Sequence, residues 1–94
     1  MQQKIQTIIM NSLKALRDDL GIEINAEINE TFPLIGDESE LESLSLVQLI
    51  VEVEEAVEEE TGTSIELISD ENVLGTETVL KTVTSFADYI SNQL

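Results

Sequence analysis

The sequence predicts an all-α protein: a small four-helix bundle with one short helix and a long loop between the first and second helices. Three observations carry this. Apolar residues recur at spacings of three and four in three separate segments, the mark of one-sided helices. Between the first two segments, over 22–42, that period is lost, and Pro33, Gly36 and scattered Asn, Thr and Ser take its place. The chain has 94 residues, which suits a single domain spanning 1–94. Its 41% hydrophobic content includes only Phe32, Phe86 and Tyr89 as aromatics, so the core must be built from Ile, Leu and Val.

The first helix is expected over 3–20. Ile5, Ile9, Leu13, Leu16 and Leu20 form its apolar stripe, Ile8 widens it, and Gly21 follows as a C-terminal cap. In the loop, Ile24, Ile28, Phe32, Leu34 and Ile35 are the residues able to pin it to the bundle, and the first three also allow a short helical turn. A loop of this length in so small a domain needs a reason. The second helix is expected over 44–60, closed by Thr61 and Gly62. At about 100° per residue, Leu46, Ile50, Val53 and Val57 face inward. Ser45, Gln48, Glu52, Glu55 and Glu59 face outward, with Val47 and Val51 on the border. Ile65 and Leu67 then alternate with polar residues in an extended stretch. Ser69, Asp70, Glu71 and Asn72 can open a short third helix that ends near Gly75. The last helix is expected over 82–92 with the stripe Val83, Phe86, Ala87 and Ile90.

Charge narrows the function. The net charge is −16, and no Lys or Arg occurs from residue 18 to residue 80. Such a surface repels nucleic acid phosphates and anionic lipid, so neither is an expected partner. It attracts proteins with basic patches and speeds their docking; the plainer use of the same charge is solubility. Cysteine and histidine are absent, which removes thiolate and imidazole metal ligands and the commonest general base. The stretch 70–81 begins like a calcium-binding loop but fails at Leu74 and again at Lys81, where a bidentate Glu is required, so no metal site is expected. Paired carboxylates on an exposed helix, with few aromatics nearby, do not make a sugar-cleaving cleft, and no catalytic residue is assigned. The N-terminus lacks the apolar stretch of a signal peptide, and no run is long enough to span a membrane, so a cytoplasmic protein is expected. Its single-domain length and initiating Met favour a freestanding chain, and a monomer is expected.

Ser43 stands at the head of the acidic second helix. Position alone suggests an N-cap that accepts a backbone hydrogen bond. The surrounding stretch Leu41-Glu42-Ser43-Leu44-Ser45-Leu46-Val47-Gln48-Leu49, continued by Ile50-Val51-Glu52-Val53-Glu54-Glu55 and Glu59-Glu60-Thr61-Gly62, resembles the second helix of acyl carrier proteins. Ile68-Ser69-Asp70-Glu71 resembles that family's start of helix three. Thr82-Val83 and Phe86-Ala87-Asp88-Tyr89-Ile90 resemble its helix four. The resemblance covers nearly the whole chain in the right order. Two positions depart: Glu42 stands where the family has Asp, which keeps the charge but moves the carboxylate one methylene outward, and Ser45 replaces a residue that is often Asp or Gly in the family.

The resemblance implies a carrier rather than an enzyme. Ser43, flanked by Glu42 and Leu44, would bear a covalent 4′-phosphopantetheine arm derived from coenzyme A and installed by a phosphopantetheinyl transferase. The arm would carry a thioester-linked acyl or related group. Acyl-loading and acyl-processing enzymes with basic docking patches would grip Gln48, Val47, Val51, Glu52, Glu55 and Glu59. The chain has no thiol of its own, so a thioester carrier must obtain one from such an arm. The rival reading is a non-carrying acidic helical interaction module in which Ser43 is only a helix cap.

Overall fold

The structure, a computed structural model, describes residues 2–35, 39, 41–67 and 79–94, and at Ser43 the backbone alone. Three α-helices occur among them: α1 (Gln2–Asp19), α2 (Ser43–Thr61) and α3 (Val83–Gln93). Each boundary lies one residue from its expected place. The short helix expected over 69–75 lies outside the described residues. No strand is present among the described residues, and a single isolated antiparallel bridge joins Pro33 to Thr82. The regular structure of the described residues is thus all-helical.

Helix α1 is the central element and packs against both α2 and α3. Ile5, Ile9, Leu13 and Leu16 are buried along its stripe, with Ile8 at the edge. Leu20, expected as the last member of that stripe, is instead 55% exposed. The helix stops at Asp19, and Gly21 adopts φ +70°, the left-handed geometry that glycine takes at little cost. Ile22 N–H then donates to the Leu16 carbonyl at 3.1 Å. The chain therefore turns before Leu20 can reach the interior, and Ile22 packs against the core. Lys4 Nζ lies 3.1 Å from Glu60 Oε2, which joins the start of α1 to the end of α2 and marks the two helices as antiparallel.

The connection between α1 and α2 is held down as expected, chiefly by Ile24, Phe32 and Leu34, all buried. None of its residues over 24–32 is in a helix, but one hydrogen-bonded turn closes at 29–32, where Phe32 N–H donates to the Asn29 carbonyl at 3.1 Å. A side-chain turn supports it: Asn29 Oδ1 accepts from Thr31 N–H at 3.0 Å and from Thr31 Oγ1 at 2.8 Å.

This loop also caps α3. A helix N-terminus leaves several backbone N–H groups without partners. Here Val83 N–H donates to the Phe32 carbonyl (3.2 Å) and Thr84 N–H to the Glu30 carbonyl (3.0 Å). Ser85 N–H donates to Thr82 Oγ1 (3.2 Å), while Thr82 N–H donates to Ser85 Oγ (2.9 Å), a reciprocal capping box. Loop and helix close each other, and Phe32 and Phe86 are buried in the same core. After α2, Leu67 is buried and its N–H donates to Glu54 Oε1, which ties the 63–67 segment back onto α2.

Candidate functional site

Glu42, and not Ser43, holds the N-cap position of α2. Its backbone is extended (φ −79°, ψ 165°), and its carbonyl accepts the first helical bond, from Leu46 N–H at 2.9 Å. Ser43 is the first helical residue. The capping role suggested for Ser43 is corrected accordingly. The Glu42 side chain is exposed and makes no cap hydrogen bond. The two N-termini differ in kind: that of α3 is sealed by a loop and a capping box, whereas that of α2 is flanked by the exposed residues Glu42 and Leu44.

The inner face of α2 is formed by Leu49, Ile50, Val53 and Val57, all fully buried, with Leu46 half-buried beside them. Leu49 lies outside the expected inward set. Ser45, expected to point outward, is half-buried. Both differences have one cause. At about 100° per residue, Ser45, Leu49 and Ala56 share one flank of the helix. Helix α1 packs against α2, and on that flank Ser45 shares an opening with the 22–25 segment and Ala56 shares one with Ile8, Ser12 and Ala15 of α1, so the buried arc is wider than the apolar stripe.

The outer face follows the expectation. Gln48, Glu52, Glu55 and Glu59 are exposed. Val47 and Val51, placed on the border, are each 37% exposed, and Leu44 is 74% exposed. Leu44, Val47 and Val51 recur at spacings of three and four, so they form an apolar strip beside the acidic row. Helix α2 contains six carboxylates and no basic residue. Of the cations, Lys4 is engaged with Glu60, and Arg17 with its neighbour Asp18. Hydrogen bonding and charge attraction between that last pair raise the Arg17 pKa, and the hydrogen bond from Arg17 lowers that of Asp18. The field over α2 is therefore strongly negative.

One feature of the site was not foreseen. The 22–25 segment meets the head of α2 and leaves an open recess of about 520 Å³ lined by Ile22, Glu23, Asn25, Glu42 and Ser45. Residues 26–41 separate its two halves in sequence, and neither half has a periodic signal that points to the other.

Among the described residues no group of acidic side chains is placed to hold a metal ion. No helix among them is long and apolar enough to cross a membrane. No family model, curated protein or solved structure matches the chain.

Proposed function

We propose that the chain is an acyl carrier protein whose Ser43 accepts 4′-phosphopantetheine from coenzyme A. In that reading it is cytoplasmic, and a short helix between Leu67 and Val79 completes a four-helix bundle. The observation that carries the proposal is the outer face of α2. It is an acidic row, Gln48, Glu52, Glu55 and Glu59, beside the exposed apolar strip Leu44, Val47 and Val51. Both begin within about one turn of Ser43. A partner that grips this face by charge brings its active site to the head of the helix, where the arm would be attached. Exposed charge contacts raise association rates and orient partners without demanding high affinity, as a carrier that visits several enzymes requires.

The head of α2 suits a phosphodiester. Helix N-terminal N–H groups and the macrodipole favour an anion there. In the modification the Ser43 oxygen bonds to phosphorus as a P–O bond of the coenzyme A pyrophosphate breaks. The serine proton passes to a base on the transferase, and adenosine 3′,5′-bisphosphate leaves. The arm, once attached, supplies the thiol that forms the thioester. The protein's own part is to present Ser43, hold α2 rigid through its buried face and offer the docking surface.

The test is intact-mass analysis after incubation with coenzyme A and a phosphopantetheinyl transferase. The wild-type chain should gain one phosphopantetheinyl group, and Ser43→Ala should gain none while keeping its helical signal. Label on the Ser43→Ala variant would place the attachment elsewhere. A wild-type chain that stays unmodified would favour the rival, a non-carrying acidic interaction module, for which Glu42 in place of Asp is the supporting observation.

A further inference from the structure

We infer that Ser39 is a positioning residue for Ser43: its hydroxyl ties the approach to α2 onto the part of the loop that the core holds. The role toward Ser43 rests on the carrier reading; the tie itself does not. Ser39 is half-buried. Its Oγ donates to the Leu34 carbonyl at 2.9 Å and accepts from Leu41 N–H at 3.1 Å. The second bond reaches two residues along the chain, a turn that a serine hydroxyl closes on its own backbone. A hydroxyl has one proton to give and lone pairs to receive, so one side chain serves both contacts.

What the hydroxyl joins gives the tie its use. Leu34 is fully buried, its N–H donates to the Lys81 carbonyl at 3.4 Å, and its neighbour Pro33 bridges to Thr82. That end is fixed to the core and to the start of α3. Leu41, at the other end, is half-buried against the core and directly precedes Glu42, the N-cap of α2. Glu42 supplies no side-chain cap bond, and helix ends fray. Ser39 therefore does from outside the helix what the cap residue does not: it fixes the backbone two residues ahead of Ser43. Alanine at 39 would leave the Leu41 N–H and the Leu34 carbonyl to water and loosen the first turn of α2. Fewer chains would then hold the head of the helix in the geometry the transferase accepts. A protein whose competent form is only partly populated shows an affinity reduced by that fraction, while the step after binding is unchanged. The hydroxyl carries no charge, so the loss does not depend on salt.

Two measurements test this. The first is amide hydrogen exchange on the ¹⁵N-labelled protein. In Ser39→Ala the amides of Leu41 and Leu46 should exchange roughly five- to ten-fold faster, the scale of one hydrogen bond, and those of Val53 and Phe86 should not change. Thr31→Ala, which removes another hydroxyl bond of the same loop, should leave the Leu41 and Leu46 amides as they are. An unchanged Leu41 amide, or a rise shared evenly by Val53 and Phe86, would overturn the tie. The second is the initial rate of Ser43 labelling from coenzyme A. Ser39→Ala should raise KM for the chain roughly two- to ten-fold with kcat unchanged, and with the salt dependence of the wild type. Ser39→Thr, which keeps the hydroxyl, should restore it. If the wild type is labelled and Ser39→Ala behaves as Thr31→Ala does, Ser39 does not position Ser43, and the inference fails while the carrier reading stands. If the wild type is never labelled, the carrier reading fails, and the positioning role with it.

Discussion

Gly62 ends α2 at φ +73°, and its N–H donates to the Glu58 carbonyl at 2.8 Å. A Cβ built there meets nothing within 4 Å, so only backbone conformation opposes a side chain. Gly62→Ala should therefore cost about 1 kcal/mol, and Gly62→Asn less, because Asn tolerates the left-handed region better. Urea midpoints would check the order. Phe32 is 2% exposed although it lies in a loop. Phe32→Ala should cost about 3–5 kcal/mol, as in a regular core, and a loss below about 1 kcal/mol would mean the loop is not part of the cooperative fold. At the head of α2, Glu42→Asp should speed labelling from coenzyme A if the modifying enzyme reads the carboxylate at the shorter reach. The initial rate of holo-protein formation measures this, and an unchanged or slower rate would mean that Glu42 is accepted as it stands. Most of these residues were legible in the sequence: Gly62 as a helix stop, Phe32 as an apolar pin and Glu42 as a charged neighbour of Ser43. Leu20 was not, since periodicity counts it with its stripe and only the turn at Gly21 removes it.

The helices differ in how they are held. Helix α3 has 11 residues, short for an isolated helix. Its start is secured by the Thr82–Ser85 box and two loop carbonyls. Thr82→Ala should lower stability by about 1 kcal/mol, read from the thermal midpoint. Helix α2 is held through one face and left open on the other. Reversing Glu52 and Glu55 to Lys should slow transfer to partner enzymes, roughly ten-fold in association rate at low salt. The defect should fall as salt screens it, with a screening length of about 10 Å at 0.1 M. Val51→Ser should weaken docking with little salt dependence, because apolar contact is what it removes. Glu27 and Glu30, both exposed and outside α2, are the controls. If their reversal does equal harm, the effect is diffuse net charge and the docking face is not supported.

For the molecule as a whole, a net charge of −16 on 94 residues opposes the compact state through self-repulsion. The described ion pairs relieve little of it. Lys4–Glu60 is about half exposed on both sides, and Arg17–Asp18 joins sequence neighbours, which can also meet in the unfolded chain. Added salt should therefore raise the urea midpoint, most steeply below about 0.1 M, where screening changes fastest. A midpoint independent of salt would show that the charges are spaced widely enough not to matter.

The sequence by itself determined the three long helices, their buried stripes and the acidic row Gln48, Glu52, Glu55 and Glu59. These follow from a period of 3.6 residues and from the sign of the charges, both local properties of the chain. It also marked Phe32 and Leu34 as pins without saying what they pin to. The tertiary structure decided that the 30–34 segment caps α3 and that Leu49 and Ser45 lie under cover on one flank of α2. It also joined Glu23 to Glu42 across an open recess. Each depends on segments brought together by the shared core, and no periodicity within one segment records which distant segment will lie against it.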